Sequence, residues 1–157
     1  MAKGKPSSTG KPSSTARPDL SGRMIFQGWA SIAVWMAFGL LLEGLLGFKS
    51  PPYLDDLQRR ELFRLAHTHG TFLGVVLVVA ALCGRRGREA VPGAATLALR
   101  IGSLVMPLGF LLAGLWHPEG DPGLAIWLVP PGALLVIFGA IVIAMASAKP
   151  SSDDQTP

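Results

Sequence analysis

A chain of 157 residues, half of them hydrophobic and only 15% charged, has the composition of a multi-pass membrane protein rather than a soluble domain. Its formal charge of +4 does not argue for a nucleic-acid partner, because membrane topology accounts for the basic residues more simply. The single cysteine, Cys83, excludes an internal disulfide framework.

Residues 1–23 form a polar arm with a short repeat, Lys5-Pro6-Ser7-Ser8-Thr9 and then Lys11-Pro12-Ser13-Ser14-Thr15. A segment of Pro, Ser, Lys and Gly buries too little apolar surface to offset ordering entropy, so the arm is expected to be disordered. The arm is too long for a signal peptide's charged region, and the run after it is too long for its apolar core. Residues 149–157 form a second, shorter tail of the same kind.

Between the tails lie four apolar runs, each near the roughly 20 residues needed to span a bilayer. The first covers residues 24–48, with Glu43 as its only charge, and a polar loop holding Pro51, Pro52, Asp55 and Asp56 follows. The second covers 61–83 and ends in a basic loop with Arg85, Arg86 and Arg88. The third runs over 92–116, opens on Pro92, which suits a first helical turn, and contains Pro107, which predicts a kink. Arg100 lies close enough to its start for the long side chain to snorkel. The stretch 117–123 is dense in turn formers and predicts a hairpin. The last run, 124–148, is interrupted by Pro130-Pro131: either one kinked helix, or an interfacial segment 124–129 before a helix from Pro131. The expected fold is all-α, a four-transmembrane-helix bundle.

The arm carries five Lys and Arg, the 84–89 loop carries Arg85, Arg86 and Arg88 with Arg100 close behind, and the tail carries Lys149. The opposite side has Lys49, Arg59, Arg60 and Arg64 in the first loop and helix entry and none in the 117–123 hairpin. The positive-inside rule therefore predicts both termini in the cytoplasm of a protein of the cell (inner) membrane. Trp29, Trp116 and Trp127 fall near the predicted interfaces, where indoles settle.

With that orientation Glu43, His67, His69, His117, Glu119 and Asp121 all lie toward the outer face. Glu43 and His67 are each about 7 Å inside their predicted helix ends, so they could meet at one level. At ~100° per residue His67 shares a face with Arg64, Gly70 and Gly74. Gly70 and Gly74 form a G-x-x-x-G pair that lets membrane helices approach closely. Glu43 shares a face with Gly39 and Gly47, and His117 with Ala113, Gly114, Met106 and Ser103. His69 lies ~200° from His67, so the H-x-H pair does not chelate one ion from one side of a regular helix.

The expected site is an outer-side metal or haem centre built from His67, His117 and Glu43, with His69 or Glu119 as further ligands and haem, copper or iron as the group bound. The plainer expectations are an intramembrane Arg64–Glu43 ion pair, histidines bonded to backbone carbonyls, and Met36 and Met106 as packing. A proton relay through Glu43, Arg64 and His67, with the diproline marking a broken helix, is a second possibility. A third is a small assembly subunit of a larger membrane complex. No nucleophile with its base, phosphate loop or zinc-finger spacing occurs, so the sequence assigns no catalytic motif and leaves open whether a reaction is catalysed.

The run Arg60-Glu61-Leu62-Phe63-Arg64-Leu65-Ala66-His67-Thr68-His69-Gly70 resembles small uncharacterised bacterial multi-pass proteins with an H-x-H in the second helix. It is also similar to the histidine-bearing helices of haem-copper oxidase and nitric oxide reductase core subunits. Those subunits carry a fuller histidine set on many more helices. The resemblance therefore implies only that His67 and His69 are candidate ligands.

Overall fold

The structure is a computed structural model and describes residues 20–86 and 92–148. The helices are α1 (Leu20–Gly47), the short α2 (Pro51–Leu54), α3 (Leu57–Arg86), α4 (Gly93–Leu115) and α5 (Val129–Ser147), with a 3-10 segment Leu124–Leu128 before α5. No strand occurs among the described residues. Four stretches are long and apolar enough to cross a membrane: Ser21–Gly47, Leu57–Gly84, Gly93–Leu115 and Leu124–Ser147. The fold is thus all-α with four candidate spans.

The boundaries shift at several ends. Helix α1 begins at Leu20, so the last four residues of the expected arm are helical. The rest of the arm, the tip of the 84–89 loop and the tail from residue 149 lie outside the described residues. Helix α3 begins four residues before the apolar run, because Asp56 caps it: its carboxylate accepts a hydrogen bond from the Arg59 amide at 2.9 Å. Helix α4 continues through Pro107, whose ring is fully buried. Of the two versions weighed for the last span, the structure has a separate segment before the helix, which begins at Val129 with Pro130 and Pro131 in its first turn.

Between α1 and α2 the chain turns through Lys49 at φ 51°, while the Ser50 amide donates to the Leu45 carbonyl at 3.0 Å. This is a helix stop of the kind that usually employs glycine.

The four long helices form an open bundle, a row rather than a square. Helix α1 packs on α3, α3 on α4, and α4 on α5; α1 reaches α4 at few points and α5 at none. The α1–α3 crossing is close because Gly28 and Gly74 face each other. A Cβ on either would come within 3 Å of the other's carbonyl oxygen. Gly70 lies beneath the indole of Trp35, so both glycines of the G-x-x-x-G pair face α1. Trp35, Leu62, Ala66, Phe110 and Ala113 form a buried cluster where α1, α3 and α4 meet. Phe38 stacks edge-on against Trp35 and Phe63 at centroid distances of 5.7 and 5.5 Å. Ser31, buried on α1, donates to the Gly70 carbonyl at 3.0 Å and adds a polar tie to this crossing.

Candidate ligand groove at His67

His67 is seated by the bare backbone of α1. Its Nδ1 lies 2.7 Å from the Trp35 carbonyl oxygen. A carbonyl only accepts, so Nδ1 carries the proton, and in the neutral ring Nε2 keeps its lone pair. The Trp35 carbonyl points along α1 toward Gly39, and the imidazole lies across that residue. A Cβ at Gly39 would collide with the ring. One glycine in α1 therefore permits the histidine of α3 to reach a main-chain acceptor.

Glu43 stands one turn along α1 from Gly39, and both line a groove of about 650 Å³ together with His67. Met36, Leu40 and Leu46 make its apolar wall, and Tyr53, Arg60, Arg64 and Thr68 complete its polar end. Tyr53 is buried, and burial raises its hydroxyl pKa above the ordinary 10.0; Arg60 and Arg64 oppose that rise, while Glu43 and Glu61 add to it. The groove thus joins a hydrocarbon wall to a charged mouth.

The structure brings together two of the four expected ligands. Glu43 and His67 share one groove, as their matched depth predicts. His69 faces away: its Nδ1 lies 2.8 Å from its own helix's Leu65 carbonyl, and its ring packs on Phe110 of α4 at 5.1 Å. His117 is elsewhere again. Helix α4 ends at Leu115 and Trp116 is extended (φ −127°, ψ 93°), so the helical projection that aligned His117 with Ala113 does not apply. Its Nδ1 lies 3.0 Å from the Pro118 carbonyl, and its Nε2 lies 3.1 Å from Asp56 Oδ2. That second contact is off the hydrogen-bond axis, so it is a Coulombic pair when the ring is protonated. Among the described residues no three His, Cys, Asp or Glu side chains gather at metal-binding distance. The expected His67–His117–Glu43 cluster is not assembled.

The expected Arg64–Glu43 ion pair is also absent. Arg64 Nη1 meets Glu61 Oε1 at 2.9 Å, because a carboxylate three residues earlier on the same helix is the nearer partner. Both side chains are well exposed, so the pair adds little stability. Glu119 and Asp121 are exposed in the turn after α4.

Two clusters escaped the sequence reading. At the corner where α2, α3 and the end of α4 meet, Arg59 donates from Nε to the Gly114 carbonyl at 3.2 Å and from Nη1 to the Pro52 carbonyl at 3.0 Å. It thereby satisfies one of the last carbonyls of α4, which the helix itself leaves open. The Arg59 amide is the main reason the Asp56 carboxyl lies below its ordinary 3.8; burial opposes this, and His117 and the Arg59 charge assist it. Asp56 directly ahead of Leu57 was a readable signal of a capped start. At the other end of the bundle, Gln27 of α1 bonds Arg100 and Ser103 of α4. Only the matching depth of Gln27 and Arg100 hinted at that.

No family model matches this chain, and neither a curated relative nor a solved structure does. What the fold defines is a class: an all-α bundle with four helices long and apolar enough to cross a membrane.

Proposed function

We propose that this is an integral membrane protein of the cell (inner) membrane, with both termini in the cytoplasm, that binds haem through His67 in its outer-side groove. The observation that carries this reading is the 2.7 Å contact between His67 Nδ1 and the Trp35 carbonyl. Protein histidines that ligate a metal nearly always donate the other ring N–H to a carbonyl or carboxylate, which fixes the tautomer and the ring plane. The rest of the groove supplies what haem requires. Met36, Leu40 and Leu46 offer an apolar wall to the macrocycle, and Arg60 and Arg64 offer guanidinium groups to its propionates. A haem brings four of its own ligands and needs as few as one imidazole. A bare copper or iron ion would need several protein ligands, and among the described residues no such group gathers. The orientation rests on the basic residues of the arm and of the 84–89 loop.

The test is the absorption spectrum of protein purified from cells supplied with haem. A Soret band that His67→Ala removes, and that His69→Ala and His117→Ala retain, is expected. Absence of the band, or its survival in His67→Ala, contradicts the reading.

A second reading, a small assembly subunit of a larger membrane complex, is favoured by the open row of helices. The outer face of α5 is uncovered at Leu134, Ile137, Phe138, Ile141 and Met145. Partners that co-purify in mild detergent and persist in His67→Ala would support it. A monomer with no partner would oppose it.

A further inference from the structure

The groove between α1 and α4 lies toward the opposite end of the bundle from His67 and follows from the open row. Helices α1 and α4 run in the same direction, and Gln27 and Arg100 each stand seven residues after their helix starts, about 10 Å along the axis. Arg100 Nε donates to Gln27 Oε1 at 2.8 Å, while Gln27 Nε2 donates to the Arg100 carbonyl at 2.8 Å and to Ser103 Oγ at 3.1 Å. These bonds fix the guanidinium by its inner edge. Its two terminal nitrogens have no hydrogen-bond or ion-pair partner among the described residues. Arg23, one turn before Gln27, lines the same groove and is exposed. The groove holds about 820 Å³, and no Asp or Glu lines it among the described residues.

An arginine within a candidate span normally pairs with a carboxylate, and where it does not, a ligand is the default expectation. Two guanidinium groups without a counter-charge select an anion, and arginine's planar fork suits phosphate. Beyond them the walls are hydrocarbon: Phe26, Val34, Leu104 and Leu108. A soluble anion would not use that surface, but acyl chains would. The chain's own arm is a poor occupant, since residues 1–19 carry Lys3, Lys5, Lys11 and Arg17 against Asp19 alone.

We propose that this groove seats an anionic phospholipid from the leaflet on the side of the chain termini, its phosphate on Arg100 and Arg23 and its chains along Leu104 and Leu108. Basic pockets between membrane helices hold anionic headgroups in this way. The site is independent of the haem reading.

Native mass spectrometry of the full-length protein, released from nanodiscs of equimolar phosphatidylcholine and phosphatidylglycerol, tests it. The wild type retains phosphatidylglycerol in preference to phosphatidylcholine. Arg23→Gln lowers that preference about five-fold, as removal of one basic contact at a membrane surface should. Arg100→Gln abolishes it, and Lys49→Gln, at an exposed residue that lines neither groove, leaves it unchanged. Equal retention of the two lipids, a preference that survives Arg23→Gln, full competition by inorganic phosphate, or dimers in place of lipid adducts would each overturn the proposal. Arg23 is exposed and makes no hydrogen bond or ion pair among the described residues, so its variant decides the matter even where Arg100→Gln fails to fold.

Discussion

Gln27 and Arg100 exchange two hydrogen bonds of 2.8 Å between α1 and α4. Each bond has one end on α1 and one on α4, and no other side-chain hydrogen bond among the described residues joins these helices apart from Gln27 to Ser103. Replacing Gln27 with Leu removes them and leaves the Arg100 Nε–H without its acceptor. We expect Gln27→Leu to lower stability by about 1–2 kcal/mol, the upper range for interhelical hydrogen bonds in membranes. Unfolding in mixed micelles measures this directly, and a loss near zero would mean that water or lipid replaces the glutamine.

Gly39 is a position where one methyl group decides a histidine's orientation. A Cβ there collides with the His67 ring, which would have to swing into the groove it lines and away from the Trp35 carbonyl. Gly39→Ala is expected to cost about 1–3 kcal/mol, typical of overpacking, and to break the bond to the Trp35 carbonyl. On the proposed function it also weakens haem binding while leaving His67 in the sequence. Ala at Gly44, where a Cβ meets nothing within 4 Å, serves as the control and should neither lower stability nor change haem content.

Asp56 gives the start of α3 a defined acid response. Its carboxyl lies below the ordinary 3.8 because the Arg59 amide donates to it, so its contribution is complete above that value and is lost as pH falls through the lower, folded-state value. Asp56→Ala removes the cap of α3 and should cost about 1 kcal/mol at neutral pH. With His117→Ala as the common background, which removes the Coulombic pair, the gap in unfolding midpoint between Asp56 and Asp56→Ala is expected to be constant from about pH 7 to pH 5 and to close below about pH 4. A gap that widens on acidification in that background would assign the cap's stability to another group.

Sidedness can be read from single-cysteine chemistry. On the proposed orientation the turn after α4 is outside, so a Cys83→Ser, Glu119→Cys double variant should react with a membrane-impermeant maleimide in intact cells. Wild-type Cys83, near the other end of α3, should react only after lysis. The reverse pattern would invert the topology and place His67 on the cytoplasmic side.

The helical class and the number of spans were legible because uncharged runs of membrane length carry their own signature. The G-x-x-x-G pair at Gly70 and Gly74 was legible for a related reason: two small residues one turn apart can serve close packing on one helix face. What a single sequence conceals is the register between helices. Glu43 and His67 could be matched by depth alone because their helices are joined by a short loop. His117 could not, because its place depends on where α4 stops, and Trp116 leaves the helix one residue before it. The Arg64–Glu43 pair, one of the plainer expectations, loses to Glu61 three residues away, a local competitor that helix geometry favours. Gln27 and Arg100 stayed hidden because nothing in either helix announces that α1 and α4, rather than α1 and α5, are the pair that approach.

The central claim, that His67 Nε2 ligates haem iron in the groove beside Gly39, is tested most directly by removing the side chain and restoring its ring as a free molecule. His67→Gly purified from haem-supplied cells should lack the Soret band, and the band should appear at the wild-type position when haem and imidazole are added together. A His67→Gly spectrum identical to wild type before any imidazole is added would contradict the claim.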